Sequence, residues 1–447
     1  MGYYSVVFSL ISASGVLIFE IFRPKNRIID FLTGVNFVYW MTFGIVPLYI
    51  FLFYEYTTWS TIRKLELTSV SYLLASIYSL VGYLCIIFSY YYASRFSINV
   101  SITTYSMKKF NNIRSIHIFK VALILFVLGF TSLVAYIRLL GGLESYLNSG
   151  LIIRSGFNTT FTSPFMFLKN LVPLLYISSY YFYCLMIEKR ENLTLNVILF
   201  LTAFISSLMH LYHGAGRMTF FIYLISFPLG HIVLKNRINF RFIIVSIWLF
   251  FVMVVLGDHL LSPYSTQSIW EVFKKALLNL GGTVGGIIEE FSSPFVNLAN
   301  NIEQLSIHYH FRYGFKDFII GLNGILPSRF LPFEYMKQPN IDELNTLYFQ
   351  SAGSIPVDLI TFGYITFGLA GVIIITLIFG VLIRFIEGLL SNTNNIMMSI
   401  TYSSWMIFIA FRVMYAEPGL VYNTVFKLVL ALFLLLYFIR NNENERN

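Results

Sequence analysis

Charge is what this chain has least of. Only 11% of its 447 residues are charged, against roughly 25% in a soluble protein. Cysteine is nearly absent as well: Cys85 and Cys184 both fall in apolar runs, which argues against a disulfide framework, a thiolate zinc site or a thiol nucleophile. There is no P-loop, no dinucleotide fingerprint, no Ser-His-Asp spacing and no Asp-x-Asp pair of the kind that holds a nucleotide-sugar. Residues 3–21 lack a basic leader and a small-residue cleavage site, so they read as a first membrane span and not as a signal peptide. Neither a soluble domain nor a low-complexity segment is visible. What fills the chain is hydrophobic: 57% of residues, including 46 Phe and 31 Tyr, with a mean hydropathy of +0.73. Such a composition suits lipid-facing helices and interfacial aromatic belts. The formal charge of +9 then reflects loop lysines and arginines and any anionic-lipid site, with no need for nucleic acid.

A spanning helix needs about 20 mostly apolar residues. That rule predicts an all-α polytopic membrane protein of about eleven spans: 3–21, 31–53, 69–93, 119–140, 167–187, 195–212, 218–234, 241–257, 363–387, 397–413 and 419–439. The sixth and tenth are the least pronounced, and the whole of 1–447 forms one membrane domain. One set of connections carries sixteen basic residues, among them Arg23, Lys25, Arg27, Lys108, Lys109, Lys189, Arg190, Lys235, Arg237, Arg241 and Arg384. The short connections on the other side carry only Arg63, Lys64, Arg154, Lys169, Arg217 and Arg412. The positive-inside rule makes the first set cytoplasmic, with the N-terminus outside and the C-terminus inside. Residues 258–362 form one long outer-face loop whose amphipathic stretches, 269–280, 295–305 and 315–325, are expected to lie in the interface or re-enter the membrane. Long loops without a domain of their own are usually functional. The glycine run at 281–286 is either a close helix contact or a bend.

The residues that could carry chemistry are the outer-face cations Arg154, Arg217, Arg329 and Arg412, which together suggest a site for an anion approaching from the lipid. Arg217 follows Gly214-Ala215-Gly216 and opens a span, where free helix N–H groups also favour an anion. The plain alternative is an arginine snorkelling to headgroups, and for Arg154 an exposed loop residue. Prolines flank Arg329 and Lys337 and restrict the chain around them. Arg412 and Glu417 share one turn and can equally pair with each other. Candidate bases are Glu417, Asp258, His259, His213, Glu289, Glu290, His308 and His310. Two histidines without a third ligand do not define a metal site, and His210 and His213, one helical turn apart, suit structural hydrogen bonding. No metal or cofactor is expected.

In this arrangement the chain resembles the Wzy-type oligosaccharide repeat-unit polymerases, the family of the O-antigen, capsule and enterobacterial common antigen enzymes. The resemblance runs over most of the chain after about residue 130. It is carried by Gly214-Ala215-Gly216-Arg217, Phe291-Ser292-Ser293-Pro294 with Asn297, and Ile325-Leu326-Pro327-Ser328 with Leu331-Pro332. Further on come Lys337-Gln338-Pro339, Asn345, Ser351-Ala352-Gly353 and the stretch from Pro356 to Gly371. The extra residues Phe333 to Met336 depart from a tight proline–basic–proline turn and leave the placement of Lys337 open.

The resemblance implies a glycosyltransferase in the bacterial cytoplasmic membrane, acting at its outer face on oligosaccharides carried by undecaprenyl diphosphate, with a chain-length-regulating co-polymerase as partner. It implies that Arg217 and Arg329 bind the donor diphosphate and that Arg154 and Lys337 assist or hold the acceptor diphosphate. Arg412 then supports the site, Asn345 contributes to substrate binding, and Glu417 is the base or orients it. Arginine suits a diphosphate better than lysine because its planar fork binds two oxygens at once. An O-antigen-ligase-like transferase uses the same donor with a different acceptor, and a flippase is the non-enzymatic alternative. A flippase predicts internal repeats and charges buried mid-span.

Overall fold

The computed structural model describes residues 2–25, 27–53, 67–95, 115–154, 165–188, 192–214, 217–237, 240–255, 269–307, 311, 316–322, 339–348, 355–390 and 395–444. Within them the chain is helical, as a bilayer requires: only a helix satisfies every backbone group inside a single apolar segment. The long helices are α1 (Tyr3–Phe22), α2 (Phe31–Phe53), α3 (Ser69–Arg95) and α4 (Ser115–Leu139). A short α5 (Leu143–Arg154) follows, then α6 (Leu174–Glu188), α7 (Leu193–His213), α8 (Arg217–Lys235) and α9 (Phe240–Val255). The long connection holds α10 (Ile269–Leu278), α11 (Leu280–Glu290), α12 (Ser293–Ile307), α13 (Lys316–Gly321) and α14 (Ile341–Tyr348). The chain ends in α15 (Leu359–Leu390), α16 (Ile396–Ala410) and α17 (Pro418–Asn444).

Among the described residues, ten helices are long and apolar enough to cross a membrane. The eighth expected span, α9, is a shorter apolar helix of 16 residues over its described part, Phe240–Val255. The protein is an all-α polytopic membrane protein.

The two ends of the bundle are stitched differently. At the basic end, Arg23 lies buried between Glu20, 2.6 Å away, and Asp30 at 2.5 Å, and Lys25 reaches Glu20 at 2.6 Å. Asp30 also caps α2 through Thr33. The Ile28 N–H donates to Asn236 and the Ile396 N–H to Glu188, so the connections after α1, α6, α8 and α15 meet at this end. At the opposite end Thr68 and Ser71 donate to Glu303, tying α12 to α3. Helices cross closely through small residues, as membrane packing favours. Ser5 and Ser9 of α1 meet Ser76 of α3, and Gly129 of α4 lies against the backbone of Leu175.

Three features were not visible beforehand. First, α15 is not one straight rod. Phe367 and Gly368 leave helical geometry, Gly368 at φ +63°, ψ −143°, a conformation that only glycine adopts readily. A Cβ built on Gly363 would fall 2.8 Å from the Gly371 carbonyl oxygen. In a straight helix those residues would be about 12 Å apart. Leu359–Thr366 therefore folds back on the spanning arm that begins at Leu369. Second, α2 widens into a π-helix over Trp40–Ile45, where Gly44 lies 3.0 Å, by its virtual Cβ, from the Ala13 backbone. Third, α12 is packed within the bundle: Phe295, Val296, Leu298, Ala299 and its asparagines are fully buried against α3 and α15. The glycine run is no bend. It lies inside α11, and a Cβ placed on Gly285 would come 2.5 Å from the Tyr49 hydroxyl.

Candidate functional site

The helix that organises the centre is α16. Every residue of its span, Ile396–Val413, is buried. Asn395 caps its start by accepting the Met398 N–H at 2.9 Å, and a short 3-10 turn over Phe411–Val413 ends it. Arg412 sits on that turn, 6% exposed. Its Nε–H donates to the Phe408 carbonyl at 3.3 Å and its guanidinium lies 4.1 Å from the Phe408 ring centre. Its Nη1 has no hydrogen-bond partner among the described residues.

Arg412 lines a cavity of about 290 Å³ between α6, α7, α8, α16 and α17. Its walls are mostly apolar and aromatic, with Tyr176, Tyr180, Tyr223 and Phe408 prominent. The polar side chains in its lining include Arg412, His210, Ser404, Asn423, Thr424 and Lys427. Lys427 is 8% exposed, and among the described residues no hydrogen bond or ion pair reaches its ammonium. Leu420, Asn423, Thr424, Lys427 and Leu428 follow one another at helical spacing on the inner face of α17. Asn423 is held by a hydrogen bond to Asn170 at 3.1 Å.

The histidines of α7 are anchored from α5 and α4. His210 Nδ1 pairs with the Tyr146 hydroxyl at 3.2 Å. His213 donates Nδ1–H to the Tyr146 carbonyl at 2.7 Å, which leaves Nε2 to accept from the Tyr136 hydroxyl at 3.4 Å. The Tyr146 ring stacks on His213 at 3.9 Å. His213 is therefore a structural bracket, as its spacing allowed, while His210 presents its other edge to the cavity.

Carboxyl groups gather beside Arg412. Val357 stitches them: its carbonyl accepts from the Ala416 N–H at 2.7 Å, and its N–H donates to Asp342 at 2.7 Å. Burial pushes the Asp342 carboxyl up to about 8, and Glu417 adds to the rise; the Val357 N–H and Arg412 oppose it. Burial likewise raises Glu417 above the usual carboxylate range, against two backbone N–H groups that lower it. Those N–H groups belong to Gly419, 2.9 Å from Oε1, and Leu420, 2.6 Å from Oε2. Glu417 thus caps α17 directly before Pro418, a favoured first helical residue. No ion pair joins it to Arg412 among the described residues, so the simple pairing of those two does not form. Asp358, fully buried, caps α15 through the N–H groups of Ile360 and Thr361, and burial pushes it up to about 7.

Of the other expected site residues, Arg154 ends α5 and Arg217 opens α8. The side chains of these two lie outside the described residues, as do Arg329 and Lys337 entirely, together with Asp258, His259, His308 and His310. Gly214, at the turn before Arg217, lines the cavity. Asn345 is fully buried; it accepts from Asn301 at 2.8 Å and donates to the Ile355 carbonyl at 3.2 Å. Its described contacts are a bracket between α12, α14 and the approach to α15. Among the described residues no group of three or more His, Cys, Asp or Glu could hold a metal ion.

No family model, no curated protein and no solved structure matches this chain. The site must therefore be read from its own chemistry. Sequence reasoning overlooked two residues in it. Lys427 is signalled by the polar stripe Asn423, Thr424, Lys427 within an otherwise apolar span. Asp342 is hidden as an ordinary acidic residue in the first turn of α14.

Proposed function

We propose that this protein polymerises oligosaccharide repeat units carried on undecaprenyl diphosphate, at the outer face of the bacterial cytoplasmic membrane. The observation that carries this reading is the cavity itself: two buried cations, Arg412 and Lys427, with donor capacity no described side chain uses, inside an apolar wall. Buried charges are normally paired, so such a cavity calls for an anion with an apolar body. The basic end, with Arg23, Lys25, Arg27, Lys235 and Arg384, is the cytoplasmic one by the positive-inside rule. The end of α16 that carries Arg412, the long connection and the N-terminus then face outward, and the C-terminus faces the cytoplasm.

In the reaction, a hydroxyl of the incoming unit attacks the anomeric carbon of the donor glycan. The new C–O bond forms as the bond from carbon to the diphosphate oxygen breaks, and the hydroxyl proton passes to a carboxylate. Arg412 stabilises the charge gathering on the leaving diphosphate. The resemblance supplies Arg217 and Arg329 as further cations for the donor diphosphate, with Arg154 and Lys337 assisting or holding that of the acceptor. Glu417 accepts the proton or orients the acceptor, and Asp342 stands beside it as a second carboxyl. A co-polymerase that sets chain length is the expected partner.

The test uses purified protein with the lipid-linked repeat unit of its own host, products resolved as a ladder, and wild type beside Arg412→Lys and Arg412→Met. Removing one such charge-stabilising group lowers the rate by about 10²–10³-fold, with Arg412→Lys retaining part of it. A ladder of undiminished intensity from Arg412→Met overturns the role of Arg412. Transfer to lipid A core with no ladder makes the protein a ligase, and movement of intact lipid-linked sugar across vesicles makes it a transporter.

A further inference from the structure

α17 has two unlike faces. Of the ten long spans among the described residues it is the least enclosed, with 17% of its apolar stretch buried against 100% for α16. Its outer side carries Val429, Phe433 and Tyr437, all exposed. Its inner side carries Lys427, nine residues past Pro418, or about 13 Å along the helix axis. A lysine near a helix end reaches for the headgroups. Lys427 does not: it lies in the cavity, near enough to His210 to act on it electrostatically. Arg412, from the C-terminal end of α16, lines the same cavity. Two cations thus stand at two depths in one apolar-walled space beside a peripheral helix.

We infer that Lys427 forms a second oxyanion subsite, below the membrane surface, so that the cavity holds a prenyl diphosphate across Lys427 and Arg412 while its hydrocarbon tail runs past α17 into the bilayer. This makes Lys427 the residue that distinguishes a diphosphate from a monophosphate, with Asn423, Thr424 and His210 as neutral hydrogen-bonding partners around it. The natural ligand follows from the lipid-linked-donor reading; the subsite itself rests only on the cavity.

The test is direct binding to the purified full-length protein in detergent, with radiolabelled farnesyl diphosphate, farnesyl monophosphate and inorganic pyrophosphate as probes. Wild type is expected to hold farnesyl diphosphate most tightly. Lys427→Met is expected to weaken it by roughly ten- to a hundredfold, the worth of one charge-assisted hydrogen bond in a dry site, and to leave the monophosphate nearly unchanged. Lys427→Arg should restore most of the preference, and thermal unfolding of each variant establishes that it is folded. Wild-type affinity for farnesyl diphosphate in Lys427→Met overturns the subsite, as does a wild type that binds none of the probes. Pyrophosphate binding as tight as farnesyl diphosphate overturns the lipid as its source. If farnesyl diphosphate binds through Lys427 but no glycan ladder forms, the subsite stands and the polymerase reading falls.

Discussion

Replacing Gly371 by alanine should open the fold-back in α15. A methyl group on Gly371 overlaps the Gly363 carbonyl oxygen and comes 3.2 Å from the Phe367 Cβ. The reciprocal methyl on Gly363 would meet the Gly371 oxygen and the Val372 Cα, each at 2.8 Å. These obstacles are mainly backbone, so no rotamer change relieves them. Overpacking against movable side chains costs about 1–3 kcal/mol, and a backbone obstacle places this variant at about 3 kcal/mol or above. Gly388 provides the control on the same helix, because nothing lies within 4 Å of its virtual Cβ. Gly388→Ala should gain up to about 1 kcal/mol of helix propensity. The two alanine variants are then separated by about 4 kcal/mol. The assay is thermal unfolding in detergent, followed by a thiol-reactive dye, since Cys184 is buried, Cys85 is partly buried and both are free. If Gly371→Ala and Gly388→Ala unfold within a degree of each other, the folded-back geometry of α15 is wrong.

Two further outcomes test the ends of the bundle. Arg23→Met removes the shared cation and leaves Glu20 with Lys25 and Asn36 and Asp30 with Thr33; breaking such a buried network costs about 3–5 kcal/mol, measured in the same unfolding assay, and a loss under 1 kcal/mol contradicts the clasp. For Asp342, raised to about 8, the folded state favours the neutral carboxyl. Its contribution to stability is whole below its ordinary value near 4 and is lost as pH rises through 8. Asp342→Asn keeps an acceptor for the Val357 N–H and should be more stable than wild type at pH 9, by about 1–3 kcal/mol after allowance for partial exposure. Superimposable stability profiles from pH 5 to 9 would refute this.

The spans were legible because apolar length is a local property. The helix opening at Arg217 and the end of α7 near Gly214 were marked by glycines whose meaning is also local. The fold-back in α15 was not legible, although Gly363, Phe367, Gly368 and Gly371 stood in plain view: a reversal depends on one backbone conformation and on which residues then touch. Asn345 takes its expected binding role from the resemblance alone, and its partner Asn301, 44 positions away, is not signalled by any local pattern. Lys427 was missed for a different reason. Counting cations at the ends of spans ranks them by loop, and a lysine well inside a span belongs to none. Glu417 and Arg412, five positions apart, form no ion pair among the described residues: the Glu417 carboxylate turns to the start of α17, and Arg412 to the Phe408 carbonyl.

α16 has a consequence for how the protein is made. Its span carries Ser399, Thr401, Ser403, Ser404 and Arg412 and has a mean hydropathy of 1.4, among the lowest of the ten. No residue in it is exposed to lipid once the bundle is complete. Lipid alone is therefore a poor host for it, and its polar groups find partners only among other helices. The helix bearing Arg412 is best accommodated after much of the surrounding bundle has been inserted, which agrees with its place near the end of the chain. Substitutions that loosen the surrounding helices should thus appear first as failed insertion of this span and degradation of the chain, before any defect in chemistry can be measured.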